Sequence, residues 1–268
     1  MLVAVAERYF KPAPVVARPI ASESADARSV FGTYQMTMRA DSSFVRLPAL
    51  MQQVAIVPAA GGGIKLDALS DRLRETAPMV FTGADGARVA FRHGADGHVY
   101  MRASMIPIAV EWDAVPWYLD KRFVLPAVIG SVVLIVLTLL VWPIGALLRR
   151  RRAVHFGTCQ RDRREHRLVR LALIVDLLAL AGTIKLANVS MDMLRLNSSL
   201  DGALLALYGV AWLAVLATLL TIAIALRFWR DRVGSSWARL YHSVIAGAMT
   251  IFSYFLVTWG IAGTTLNY

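Results

Sequence analysis

From Phe123 to Leu148 the chain runs for 26 residues without a charged side chain. A helix crosses the roughly 30 Å hydrocarbon core of a bilayer with about 20 apolar residues. A helix that is apolar on all sides belongs in a large protein core or in a membrane. Three later segments repeat the pattern. Residues 202–226 are uncharged, residues 240–263 carry only His242, and residues 168–189 are apolar around Asp176 and Lys185. Composition agrees, with 57% apolar residues, 18% charged residues and a mean hydropathy of +0.54. Soluble domains average about 45–50% apolar and 25% charged. These values exclude a disordered chain, a collagen and a coiled coil. They predict an α+β membrane protein, in which a small antiparallel β domain is followed by a four-helix transmembrane bundle.

The net charge of +11 is placed unevenly. Residues 1–120 hold 12 basic and 12 acidic side chains, whereas residues 121–268 hold 17 and 6. The connection 149–170 carries nine Arg, including the block Arg149, Arg150, Arg151 and Arg152, against Asp162 and Glu165. The connection 227–239 carries Arg227, Arg230, Arg232 and Arg239 against Asp231. These are alternate loops of four spans, so the positive-inside rule assigns both to the cytoplasm. It puts residues 1–120 and the C-terminus outside, in a bacterial inner membrane. The surplus charge is then a topology signal rather than a nucleic-acid footprint, and anionic lipid is its generic partner. Trp112, Trp117 and Tyr118, just ahead of Lys121 and Arg122, read as an interfacial aromatic belt with snorkelling cations.

The outer half divides into a helix end and Pro/Ala linker, 1–29, and a β domain, 30–119. Candidate strands are 31–39, 53–57, 64–69, 79–81, 87–92, 98–102 and 108–112. Two Ala-Asp-Gly turns, Ala84–Gly86 and Ala95–Gly97, signal hairpins. Six or seven short strands predict a small sheet, sandwich or half-barrel. Residues 1–12 lack the basic start and small-residue cleavage site of a signal peptide. A β domain lying outside without an export signal reads as the C-terminal part of a longer protein, or as a chain whose start is misassigned.

The order of short motifs is specific. Ala6-Glu-Arg-Tyr-Phe-Lys-Pro12 precedes a Pro/Ala linker and Phe31-Gly32-Thr33-Tyr34. Then come Arg39, Ser42-Ser43, Ala84-Asp85-Gly86, Phe91-Arg92 and Val115-Pro116-Trp117-Tyr118. A first span, Trp142-Pro143 and the Arg block follow. This arrangement resembles the C-terminal part of bacterial membrane-anchored serine hydrolases of the β-lactamase and penicillin-binding-protein-like family. The resemblance implies a periplasmic catalytic domain upstream, followed by the β domain and the membrane helices. The family's Ser-x-x-Lys, Tyr-x-Asn and Lys/His-x-Gly motifs do not carry over. The residues three before the four lysines are Arg8, Gly62, Tyr118 and Gly182. No Tyr or Ser stands two before Asn188, Asn197 or Asn267, and His155-Phe156-Gly157 falls in the Arg-rich loop. No catalytic residue and no cofactor is therefore assigned to this chain.

Asp176 is the sharpest remaining candidate, because a carboxylate within a span is costly and flags a functional site. It reads either as a proton or ion site, or as a helix-joining group bonded to Thr183, Ser243 or Tyr254. Lys185, nine residues on, points to the opposite face and reads as a snorkelling cation. His93, Asp96 and His98 around one turn, and His155, Cys159 and His166 in one loop, are weaker metal candidates; none is assigned. Three functions follow. The chain is expected to be a non-catalytic anchoring and β-domain module of a serine hydrolase. The alternatives are a small transport or proton-coupled accessory protein using Asp176, or a periplasmic ligand- or partner-binding membrane protein. The expected partners are the lipid bilayer, an upstream or separate catalytic domain, and a cell-wall or periplasmic component, with no nucleic acid.

Overall fold

The structure is a computed structural model and describes residues 23–39, 43–67, 72–104, 110–152, 160–190 and 200–264. Two compact units divide the chain at Asp120/Lys121. The described part of a short segment, 43–48, groups with the helices.

The first unit contains a helix, α1 (Glu23–Ser29), and eight strands: β1 (Gly32–Met36), β2 (Val54–Pro58), β3 (Ile64–Leu66), β4 (Leu73–Ala77), β5 (Val80–Gly83), β6 (Arg88–His93), β7 (Val99–Ala103) and β8 (Trp112–Ala114). Each strand pairs antiparallel with the next, and β8 pairs with β1, so the sheet is a closed up-and-down barrel. Closure leaves no unpaired strand edge. Inward side chains, among them Tyr34, Ile56, Leu73, Phe81, Met101 and Trp112, fill the interior and are at most 4% exposed. Phe81 meets Phe91 edge-on at 5.7 Å, the favoured aromatic geometry. Ala27 and Val30 at the end of α1 pack into the same core, and the Tyr34 hydroxyl donates to the Val30 carbonyl at 2.9 Å.

The barrel corrects two sequence expectations. It has eight strands and closes, where six or seven strands in a sheet, sandwich or half-barrel were expected. The missed strand is β4, Leu-Arg-Glu-Thr-Ala, which reads as polar. Its Glu75 is fully buried, because its carboxylate accepts the Met79 amide at 2.9 Å. That bond holds the tight turn into β5, where Met79 has φ +60°. Trp112 is the second correction. Met36 of β1 and Met101 of β7 are its register partners, and its ring is 4% exposed in the barrel core. It is therefore a packing residue rather than part of an interfacial belt.

Both Ala-Asp-Gly turns do form hairpins, and they are copies of one another. Gly83 and Gly94 donate to the carbonyls of Ala87 and His98, and Gly86 and Gly97 donate back to Gly83 and Gly94. Asp85 and Asp96 each accept the amide two residues on. Gly86 and Gly97 stand at φ +82° and +79°, a left-handed conformation that glycine adopts without penalty.

The second unit contains α3 (Lys121–Arg152), α4 (Gln160–Ser190), α5 (Asp201–Arg230) and α6 (Ser236–Thr258). The short helix α2 (Leu47–Met51) straddles the division between the units. The helices α4 and α5, α5 and α6, α6 and α3, and α3 and α4 are neighbours, which closes a four-helix ring. Three stretches, Lys121–Pro143, Asp201–Arg230 and Ser236–Thr258, are long and apolar enough to cross a membrane. The fourth helix, α4, spans 31 residues but carries Asp176 and Lys185 within its apolar stretch and an Arg-rich start. By length and apolarity three of the described helices are candidate membrane spans, and α4 is not.

Segment 43–46 forms a strap within this unit. A single 3-10 turn, Phe44–Arg46, lies against the end of α6. Arg46 Nη1 donates to the Thr258 carbonyl at 3.0 Å, and the Arg46 guanidinium carbon lies 5.4 Å from the centre of the Trp259 ring. Gly260, at φ +69°, lets the strap approach, because a Cβ there would stand 2.5 Å from the Ser43 carbonyl oxygen.

Candidate functional site

The inward face of α4 is a stripe at helical spacing: Glu165, Val169, Ala172 and Leu173, Asp176, Ala179, Thr183 and Leu186. Eleven residues make three turns, so Glu165 and Asp176 share this face about 16 Å apart. The two carboxyls meet different surroundings. Glu165 forms an ion pair with Arg227 of α5, and Arg227 also holds Asp231 at 3.1 Å. Asp176 is 1% exposed, and neither of its oxygens has a hydrogen-bond partner among the described residues.

The antiparallel register explains the difference. Glu165 faces Arg227, and Gly182 approaches Leu207 so closely that a Cβ would lie 2.7 Å from it. Interpolation puts about residues 213–216 of α5 opposite Asp176. The buried residue there is Ala214, which offers no polar atom on its side chain. The expected helix-joining partners are engaged elsewhere. Thr183 donates to the Ala179 carbonyl at 2.7 Å, and Ser243 accepts from Trp229 Nε1 at 2.8 Å. Tyr254 is 43% exposed. One turn deeper, Thr218 and Ser253 join α5 to α6 through a 2.8 Å hydroxyl pair. Lys185 is exposed, on the face away from Asp176.

The end of the bundle beside Glu165 is rich in rings and charges. His166 lies 5.0 Å from His242 and 5.8 Å from Phe228, and Phe228 lies 4.7 Å from His242 (centroid distances). The Arg170 guanidinium stacks on Trp142 of α3 at 4.8 Å, and Arg239 stacks on Trp229 at 5.1 Å. An open cleft of about 450 Å³ is lined by Glu165, Ala223, Ile224, Leu226, Arg227 and Arg230. Arg230 and then Arg227 hydrogen-bond Asp231 and hold its carboxyl below the usual carboxylate range.

On the outside of the barrel, Arg39 makes a two-pronged pair with Asp113, and Arg92 another with Glu111. The hydrogen bond from Arg92 draws the Glu111 carboxyl below its ordinary value. Arg92 also stacks on Tyr100 at 4.4 Å, and the Tyr100 hydroxyl donates to Asp96 at 2.5 Å. Asp96 is therefore committed to its own hairpin. Among the described residues no group of three His, Cys, Asp or Glu side chains could hold a metal ion. Trp117 and Tyr118 are 73% and 49% exposed and meet edge-on at 6.0 Å, so they keep the exposure an interface requires. Arg149–Arg152 form the last turn of α3. Their side chains, and His155 and Cys159, lie outside the described residues.

Sequence reasoning missed the Glu165–Arg227 pair and the His166–His242 contact. The available signal was the spacing of Glu165, Asp176 and Thr183 at 11 and 7 residues, which keeps all three on one helix face. Comparison with known proteins finds no match: no family model, no curated protein and no solved structure is similar to this chain.

Proposed function

We propose that this chain is a non-catalytic membrane-anchoring module that carries a small β-barrel at the surface of a bacterial inner membrane. The observation that carries the reading is a barrel closed on itself and filled by its own side chains, in a chain with three helices long and apolar enough to cross a bilayer. A filled barrel has no interior room for a substrate, so its use lies in its outer surface and its tether. The exit from the barrel is built firmly. Thr33 donates to Asp120 at 2.6 Å and Gln53 donates to the Leu119 carbonyl at 3.0 Å, immediately before the first apolar helix. In this reading α4 is the fourth span, the Arg-rich connections lie in the cytoplasm and the barrel lies outside. The motif resemblance supports a serine-hydrolase catalytic domain, upstream or separate, as the cargo of the anchor.

The single cysteine of the chain, Cys159, gives a direct test of topology. A membrane-impermeant maleimide leaves Cys159 unlabelled in intact spheroplasts and labels it after permeabilisation. Ala84→Cys in a Cys159→Ser background, at an exposed barrel turn, gives the reverse pattern. Labelling of Cys159 in intact spheroplasts refutes the orientation.

A second reading rests on Asp176 alone. A carboxyl fully buried in the helical bundle, with both oxygens unpartnered, supports a proton-coupled accessory role. Proton uptake by proteoliposomes that is unchanged in Asp176→Asn removes it.

A further inference from the structure

The strap and the end of α6 bring three buried donors together. The Trp259 indole N–H, the Arg46 Nε–H and the Ser43 hydroxyl are shielded from solvent, and none has a hydrogen-bond partner among the described residues. Trp259 is 0% exposed and Ser43 1%. The three residues are in mutual contact. The Arg46 amide donates to the Ser43 carbonyl at 3.0 Å, and the Arg46 guanidinium lies over the Trp259 ring. The Ser43 carbonyl packs against Gly260, the residue after Trp259. All of them belong to the helical unit.

Buried polar groups nearly always have partners, and each exception needs an explanation such as a water or an ion. Here the unmet groups are all donors, and one of them carries a full positive charge. Arg46 Nη1 donates to the Thr258 carbonyl, which brings no negative charge, and among the described residues no acid pairs with Arg46. Withdrawing a guanidinium from water without a counter-charge is costly. A water satisfies a donor but leaves that charge unmatched. An oxyanion meets both needs, because it accepts from N–H and O–H donors and carries the opposite charge. The carbonyls that end α6 do not oppose it. Phe255, Leu256 and Val257 accept from the amides of residues 259–262, and Thr258 accepts from Arg46.

We propose that the strap and the end of α6 form a binding site for an oxyanion, the phosphate or carboxylate group of a small molecule or of a lipid. Arg46, Trp259 and Ser43 hold it. The donors are shut beneath the strap, so the anion enters as the strap lifts.

The test is calorimetric titration of the full chain in a neutral maltoside detergent. Inorganic phosphate and acetate, against chloride at equal ionic strength, probe a free anion. Dihexanoyl phosphatidylglycerol, against dihexanoyl phosphatidylcholine as the reference for entry into the micelle, probes a headgroup. At least one oxyanion binds above its reference. Binding of phosphate or acetate assigns a free anion, and binding of phosphatidylglycerol alone assigns a lipid. Trp259→Phe keeps the ring beneath Arg46 and removes the N–H, and Ser43→Ala removes only the hydroxyl. Each weakens binding about tenfold, the loss expected for one hydrogen bond to a charged group. Arg230→Gln, at the opposite end of the bundle, leaves binding unchanged. Heats no larger than the references for every oxyanion overturn the site. Full affinity in Ser43→Ala overturns it too, and that variant decides where Trp259→Phe fails to fold.

Discussion

Gly260→Ala is a perturbation whose size can be worked from the structure. The new Cβ would lie 2.5 Å from the Ser43 carbonyl oxygen and 2.7 Å from its carbon, where ordinary contact begins at 3.4 Å. Both atoms are backbone, so the strap itself must retreat. A retreat of that size breaks the 3.0 Å bond from Arg46 Nη1 to the Thr258 carbonyl. Hydrogen bonds to charged donors contribute about 1.5–3 kcal/mol. The left-handed backbone at Gly260 costs alanine a further 1–2 kcal/mol, roughly. That cost falls on the strap-closed and strap-open states alike and does not drive opening. The opened fraction should therefore rise roughly 10- to 150-fold. The assay is native-state trypsin cleavage of the detergent-solubilised chain, following the bond after Arg46 by mass spectrometry. Gly97→Ala is the control. It stands at φ +79° with open space around the added methyl, so it shares the conformational cost and lacks the clash. Equal cleavage rates after Arg46 in the two variants would refute the close approach of strap and helix end.

Four further outcomes follow from the geometry. Trp112→Ala destabilises the chain by about 3–5 kcal/mol in thermal unfolding, because it empties a filled barrel. Trp117→Ala leaves the unfolding midpoint within error and weakens partition into bilayers, since its ring is 73% exposed. Glu111 gives the pH dependence. Its folded carboxyl is held below the ordinary value by the hydrogen bond from Arg92, so its contribution is present above the unfolded value of about 4.3 and is lost as pH falls through the depressed one. The gap in unfolding midpoint between the wild type and Glu111→Gln should therefore be open at pH 7 and closed at pH 2; a gap that widens on acidification contradicts the pairing. Asp176→Leu should raise the unfolding midpoint, because a buried polar group without a partner costs about 1–3 kcal/mol.

The change of character at Asp120 is legible because charge and hydropathy shift together there, and such shifts are properties of composition. Six strand positions were legible from alternation and from the repeated Asp-Gly turns, whereas the seventh candidate, 108–112, meets β8 only at Trp112 and begins outside the described residues. β4 was not, because Glu75 looks solvated in sequence but is inward in the barrel, where it accepts the Met79 amide, a partner set by the turn itself. Closure of the sheet was not legible either. It depends on β8 meeting β1 across 80 residues of chain, with Tyr34 opposite Ala114 and Met36 opposite Trp112. Trp112 was misread for the same reason. Its neighbours in sequence are Trp117, Tyr118 and Lys121, which suggest an interface, whereas its neighbours in space are Met36 and Met101. Asp176 stood out in sequence as an acid in an apolar run, and the structure adds that none of its three expected partners reaches it. The Glu165–Arg227 pair lay beyond sequence reasoning because it joins two helices whose register no local pattern specifies.

That register also bears on why one acid is paired and the other is not. Both carboxyls stand on the same stripe of α4, so helical periodicity treats them alike. The opposing surface of α5 does not: it ends in Arg227, Arg230 and Asp231 beside Glu165 and presents Ala214 beside Asp176. The sequence can place arginines only where their charge reaches water or headgroups, so a cation is available to Glu165 at the helix end and none is available in the middle of the bundle. Moving Asp176 out would cost the fold nothing that its contacts reveal, because among the described residues its carboxyl has no hydrogen-bond partner. Its place in the stripe therefore does not follow from the packing that accounts for its neighbours Leu173 and Ala179. A stability gain in Asp176→Leu accompanied by loss of a membrane-coupled activity would assign the residue to function. The same gain with every activity intact would make it a tolerated defect of the bundle.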